Sequence, residues 1–233
     1  MKSSLIPSIA LAGLFAVSSA FAQGTVTGKV TLKGAPPAEK PIDFGTDKFC
    51  KGAHATAATT RHYVTDASGG LANVLIYVKE GVKTKSAPPT TPVVLNQHGC
   101  LYEPYVLAVQ VGQPLKITNS DDTMHNVHAM ATKNPEFNKG QPKGKEDTVV
   151  FTKAEVPVKF KCDVHPWMFA YVCVVENPFY VVTGADGSFK LTGLPPGDYT
   201  LAAVHPKAGE LTFKVKVAAG ETKQDFCFAP KAS

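Results

Sequence analysis

The run Val156-Pro157-Val158-Lys159-Phe160-Lys161-Cys162-Asp163-Val164-His165-Pro166-Trp167-Met168-Phe169-Ala170-Tyr171-Val172-Cys173-Val174-Val175 decides how this chain is read. Its two ends, Val156 to Lys161 and Tyr171 to Val175, are rich in β-branched and aromatic residues and read as strands. Between them, Cys162, His165 and Met168 set a thiol, an imidazole and a thioether in the order Cys-x2-His-x2-Met. A soft thiolate with imidazole and a weak axial thioether is the donor set of a type 1 (blue) copper site, which needs three strong ligands near one plane. Two residues between Cys162 and His165 allow a loop at a strand end to turn both side chains inward. The set still lacks a second histidine. Upstream, Asn119-Ser120-Asp121-Asp122-Thr123-Met124-His125-Asn126-Val127-His128 offers one, with His125 in a turn that leaves a strand at Leu115 to Thr118.

Outward from this loop the chain is dominated by short alternating runs. Strands are expected at Thr25 to Leu32, Val74 to Val78, Val106 to Val111, Leu115 to Thr118, Thr148 to Thr152 and Val156 to Lys161. More are expected at Tyr171 to Val175, Phe179 to Thr183, Ser188 to Leu191, Asp198 to Ala203, Leu211 to Val217 and Thr222 to Phe228. Many short strands parted by Gly, Pro, Asn and Asp turns predict an all-β protein of the sandwich type. Only Thr46 to Ala58 and the Pro135 to Gly144 region read as irregular or weakly helical.

The first residues read as a secretory signal peptide (1–22). Lys2 precedes an apolar run from Leu5 to Val17 that is too short to span a membrane, and Ala20-Phe21-Ala22 is a small-x-small cleavage site. The expected location is the periplasm. No second long apolar stretch follows, so no membrane span is expected. Formal net charge is +5, with both signs scattered and no basic run interleaved with aromatics, which makes nucleic acid an unlikely partner class. Five cysteines in an exported chain predict disulfides with one thiol left over. If Cys162 holds a metal, Cys50, Cys100, Cys173 and Cys227 remain, and four cysteines allow three pairings. Cys50–Cys100 and Cys173–Cys227 are the expected bonds, the alternative being that one or both pairs stay reduced. Cys50-Lys51-Gly52-Ala53-His54 could instead join Cys100 in a second metal site, a less economical reading.

The C-terminal part has its own pattern. Val182-Thr183-Gly184-Ala185-Asp186-Gly187-Ser188-Phe189 is strand, Asp-Gly turn, strand, and Leu194-Pro195-Pro196-Gly197-Asp198-Tyr199 is a tight turn feeding the next strand. The pair of motifs resembles the carboxypeptidase regulatory-like β-sandwich, a small transthyretin-like fold whose presence says little about activity. Gly24 to Leu32 and Leu71 to Val78 resemble the two strands that precede the Asp-Gly hairpin in that family. The expected architecture is therefore a host sandwich, 23–80 plus 178–231, interrupted by a metal domain at 81–177. The simpler alternative is a continuous metal domain at 23–177 followed by a tail, but a tail of that size alone is marginal.

Tyr102-Glu103-Pro104, Val109 to Asn119, Met124-His125-Asn126-Val127-His128 and Cys162 to Met168 together resemble the cupredoxin family, a Greek-key β-sandwich, over roughly 91–177. The ligand loop is similar to that of amicyanin. The resemblance implies one type 1 copper ion held by His125, Cys162, His165 and Met168, with Asn126 steadying the ligand thiolate. Met124 stands where amicyanin-like sequences place proline. The family also implies that His165 lies near the surface in an apolar patch where a redox protein, a cytochrome c or a dehydrogenase, docks. Trp167 is expected either at the rim of that patch, shielding the metal from water, or packing the loop from inside, and His128 as an ordinary surface residue.

Two functions follow as expectations. The first is a periplasmic carrier of single electrons and not an enzyme, because a closed four-ligand site leaves no place for substrate. The second is copper storage, resistance or delivery, suggested by the soft and imidazole donors of Met124-His125-Asn126-Val127-His128-Ala129-Met130. Zinc suits a thioether ligand poorly, and no Cys-x-x-Cys-His motif for haem attachment occurs.

Overall fold

A computed structural model describes residues 23–231; the expected signal peptide lies outside them. In chain order the elements begin with β1 (Gly24–Leu32), α1 (Lys48–Gly52) and β2 (Leu75–Glu80). Next come β3 (Val93–His98), β4 (Leu101–Glu103), β5 (Val106–Gln110), β6 (Pro114–Asn119), β7 (His125–Met130) and β8 (Phe137–Gln141). Then follow β9 (Glu146–Val150), β10 (Glu155–Lys161), β11 (Phe169–Val175), β12 (Tyr180–Val182) and β13 (Ser188–Leu194). The last are β14 (Gly197–His205), β15 (Gly209–Val217), β16 (Gly220–Lys223) and β17 (Phe226–Phe228).

These strands form four sheets. The outermost has the order β13-β1-β16, with β17 also pairing β1, and faces a second of order β12-β2-β14-β15. Val26, Val30, Ile76, Val78, Leu201, Ala203 and Phe226 fill the space between them. The third sheet, β5-β11-β10-β7-β8, faces the fourth, β4-β3-β6-β9, over a core of Leu95, Ile117, Val109, Val127, Phe160 and Val172. The outer faces of the second and third sheets then meet through Leu75, Val204, Tyr105, Val106, Tyr171, Cys173 and Val175. The result is a stack of two all-β sandwiches, four layers deep, sharing an apolar seam. Burial on both faces explains why β5 and β11 read as continuous apolar runs and not as alternating ones.

The Asp186-Gly187 turn closes onto the first sheet. Gly187 has a φ of 77°, and a Cβ there would lie 2.3 Å from the carbonyl oxygen of Val30, so only glycine fits. The expected strand at Thr222 to Phe228 is split into β16 and β17, both parallel to β1.

Three expectations change. The Pro135 to Gly144 region is not a helical loop, because Phe137–Gln141 pairs antiparallel with His125–Met130 as an edge strand. Its polar, glycine-containing sequence has no alternation to advertise, and the neighbouring strand supplies the pairing. Cys173 and Cys227 are not bonded to each other. Cys173 is buried in the seam between the sandwiches, Cys227 is exposed on the outermost sheet, and a whole sheet lies between. Finally, residues 42–58, placed by sequence within the host sandwich, pack on the other one: Phe44 and Cys50 are part of its core, with Ile42, Phe49 and Ala58 against it. Hydrogen bonds from Ile42 N–H to Ala58 O and from Thr60 N–H to Lys40 O close the base of this excursion, which we call the lid. Among the described residues no helix is long and apolar enough to cross a membrane.

Candidate metal centre

The loop between β10 and β11 carries Cys162, His165 and Met168. It is closed on itself by Cys162 N–H donating to Met168 O and Met168 N–H donating to His165 O, at 3.0 and 2.9 Å. The start of β7 brings His125 beside it, because β7 and β10 are antiparallel neighbours. The Nδ1 atoms of His125 and His165 are 2.9 Å apart, and Cys162 Sγ is 3.8 Å from His165 Nδ1. One donor atom from each of the three residues lies within 4.8 Å of the others, and all three side chains are buried. Met168 is wholly buried in the same core. Two imidazole nitrogens and a sulfur converging on one point, backed by a buried thioether, are a donor set that fits a single soft metal ion.

Asn126 fastens this loop to β7. Its backbone N–H donates to Cys162 Sγ at 3.4 Å, and its side-chain oxygen accepts from the N–H groups of Asp163 and Val164. Tyr102 Oη donates to Asn126 O from the opposite sheet. Burial raises the Cys162 thiol, but the nearby His125 imidazole and the N–H groups of Asn126, His165 and Val164 outweigh it and lower its pKa. A lowered thiol pKa favours the thiolate that binds metals.

Both histidines have a carboxylate on the ring nitrogen that faces away from the cluster. His125 Nε2 is 2.9 Å from Asp121 Oδ2, and His165 Nε2 is 3.2 Å from Asp47 Oδ2. Burial alone depresses His125, yet Asp121 and Cys162 overcome it and raise its pKa; burial prevails over Asp47 at His165 and lowers it. Asp121 also accepts from the N–H groups of Gly99 and Cys100, at 2.6 and 2.7 Å. Those two residues form the turn between β3 and β4 with φ values of 62° and 53°, as a two-residue hairpin turn requires. Cys100 pays a backbone strain there that a glycine would not. Four contacts hold the turn: Asp121 on the Cys100 N–H, Trp167 Nε1–H on the Cys100 carbonyl at 3.1 Å, His54 on the Gly99 carbonyl, and a disulfide from Cys100 to Cys50 in the lid. The expected Cys50–Cys100 bond is therefore present, and it lies against the site.

His165 does not sit in an exposed apolar patch. It is 4% exposed, covered by Asp47 and Cys50 of the lid, and Trp167 lies not at an open rim but between His165 and Phe44, with ring centroids 5.1 and 5.3 Å away. The exposed apolar residues next to the ligands in sequence are Met124, Val164 and Pro166. His128 is partly buried and held between Asp163 and Glu136. Sequence reasoning missed Asp47 and the function of Asp121. Asp121 stood in the quoted run before His125, but nothing in the sequence pointed from Asp47 to a loop more than a hundred residues away.

No protein-family model matches the sequence, and no curated protein sequence does. Among solved structures, the copper-containing nitrite reductase (NirK) from Thermus scotoductus SA-01 is similar at 25% identity and a TM-score of 0.35, over 42% of this chain. This chain spans only 25% of the length of that reductase. A novel purple cupredoxin from Nitrosopumilus maritimus is similar at 25% identity and a TM-score of 0.31, over 35% of this chain and 97% of that one. A reduced variant of amicyanin is similar at 29% identity and a TM-score of 0.32, over 36% of this chain and 81% of that one.

Proposed function

We propose that this chain is an exported type 1 copper protein that carries single electrons between redox partners. His125 Nδ1, His165 Nδ1 and Cys162 Sγ are the strong ligands in this reading, and Met168 is the weak axial one. Bound copper would supply a one-electron Cu(II)/Cu(I) couple. The observation that carries the reading is the convergence of two imidazole nitrogens 2.9 Å apart with a thiol 3.8 Å from one of them, all buried. Asn126 directs the thiolate, the two aspartates orient the rings, and the lid with Trp167 excludes water. Rigid, pre-set ligands suit electron transfer, because they need little rearrangement when the ion changes charge. Burial on every side leaves no room for a substrate, so we read the centre as a carrier and not a catalyst.

In the same reading the copper sandwich is 81–177 with the lid lent to it, and the host is the remainder of 23–80 with 178–231. The signal sequence and the disulfide favour the periplasm. The partner, a cytochrome c or a dehydrogenase, would dock over Met124, Val164 and Pro166 instead of on His165 itself. The test is a visible and EPR spectrum of the copper-loaded, oxidised protein. An intense thiolate-to-copper band, lost in Cys162→Ala, is expected; a colourless protein with ordinary tetragonal copper would sink the assignment. Exposed Met124, just before β7, and Met130, at its end, favour a second reading in which the protein stores or delivers copper. That reading expects copper to remain bound in Cys162→Ala.

A further inference from the structure

We infer that Asp47, on a segment outside the sandwich that holds the cluster, is a positioning residue of the metal centre. Its carboxylate takes the Nε2–H of His165 and so fixes which ring nitrogen faces the ion. The inference rests on the proposed copper reading for its consequence, but its geometry stands on the metal-free protein.

Asp47 does two things with two oxygens. Oδ1 accepts from Cys50 N–H at 2.8 Å and caps α1, while Oδ2 lies 3.2 Å from His165 Nε2. A helix this short would not hold a shape alone. It is held because Cys50, one turn along, is bonded to Cys100, and because His54 reaches the Gly99 carbonyl. The cap therefore places the carboxylate, and the disulfide places the cap. His165 offers Nδ1 to the cluster only while Nε2 carries the proton, and an acceptor on Nε2 selects that tautomer and ring angle. Asp121 does the same for His125 from within the sandwich. The lid thus completes a pair of carboxylate–histidine contacts, one on each imidazole. It also blocks the edge of His165, so the aromatic contact from His165 through Trp167 to Phe44 becomes the covered side of the centre.

Two substitutions separate positioning from capping, since Asn and Ser both cap helices well. Asp47→Asn keeps the cap with its one oxygen but turns an NH2, a donor, toward His165 Nε2. Asp47→Ser keeps the cap but is too short to reach. Copper loss from the loaded full chain to excess EDTA should be about tenfold faster in both variants than in wild type, with urea midpoints close to wild type because the cap is kept. In the metal-free protein, nitrogen NMR of His165 should show a slowly exchanging Nε2–H in wild type and a fast one in Asp47→Asn and Asp47→Ser. Equal copper loss and equal exchange in wild type and in either variant would overturn the inference. A fast-exchanging Nε2–H in wild type would overturn it without any variant. A wild type that lacks the thiolate–copper band would defeat the copper reading while leaving the NMR comparison to decide the role of Asp47.

Discussion

Cys50 Sγ lies 3.9 Å from Nε2 of His165 while bonded to Cys100, so the bond that latches the lid touches the imidazole it covers. Fifty residues separate the two cysteines in sequence. On the chain-entropy account, opening a loop of that length costs up to about 4 kcal/mol of stability. The double variant Cys50→Ser/Cys100→Ser should fold, because most of the sandwich core comes from its own strands, but with a lower urea midpoint. Copper loss to a chelator should also quicken, since Asp47 is no longer held over His165. A double variant that retains the wild-type midpoint and rate would show that the lid is held by packing of Phe44 and Ile42 alone.

Asp121 is the hinge between the turn and the metal cluster. Its buried carboxylate satisfies the N–H groups of Gly99 and Cys100 and faces Nε2 of His125. Removing it leaves two buried donors and a ring nitrogen without a partner, at a residue already in the left-handed region. Asp121→Ala should lose on the order of 3 kcal/mol in chemical denaturation. Asp121→Asn, which keeps one acceptor, should lose less. Equal midpoints for wild type and Asp121→Ala would mean that water replaces the carboxylate.

The sequence carried the strands and the donors but not the lid. Alternation in Thr25 to Leu32 and Leu211 to Val217, and the spacing of Cys162, His165 and Met168, are local signals, so they survive without any knowledge of tertiary contacts. Phe137–Gln141 became a strand only through its neighbour, and no local pattern reports that. The pairing of Cys173 failed for a related reason. Which of two buried faces a residue on β11 occupies depends on which sheet covers it, and both faces of that strand are apolar. The lid was illegible because its few apolar residues, Ile42, Phe44 and Phe49, lie in a stretch with neither helical nor strand period, and only long-range packing assigns them to a sandwich.

In the other sandwich, His205 is buried against Tyr63, and its Nδ1 accepts from the N–H groups of Lys207 and Ala208 at 3.3 and 3.1 Å. Burial pushes its pKa down to about 4, with Lys207 adding to the shift and Glu39 opposing it. Because the folded value is below the ordinary 6.5, the unfolded chain takes up the proton first as pH falls. Stability is therefore unaffected above about 6.5 and declines between about 6.5 and 4, by as much as about 3 kcal/mol. His205→Asn keeps an acceptor for the two N–H groups and does not titrate, so its urea midpoint should vary less across that window. Parallel wild-type and His205→Asn curves would place the acid sensitivity elsewhere.

Glu155 predicts a second, lower acid transition. It is buried at the start of β10 and, among the described residues, has no cationic partner. Its two oxygens accept instead from Thr132 N–H and Oγ1–H, Lys133 N–H, and both the backbone and side-chain N–H groups of Asn134. Burial raises its pKa, but those donors outweigh it and bring the value to about 2. A folded value below the ordinary 4.5 means that the stabilisation is complete above about 4.5 and is lost as pH falls toward 2. The shift corresponds to about 3 kcal/mol at neutral pH, as an upper figure. Glu155→Gln replaces one acceptor oxygen by a donor facing other donors, so it should unfold at lower urea at pH 7. The gap between variant and wild type should then narrow as pH falls from 4.5 to 2.5, because protonation does to the wild type what the substitution has already done. A gap that stays constant through that window would show that the carboxylate is not ionised in the folded protein.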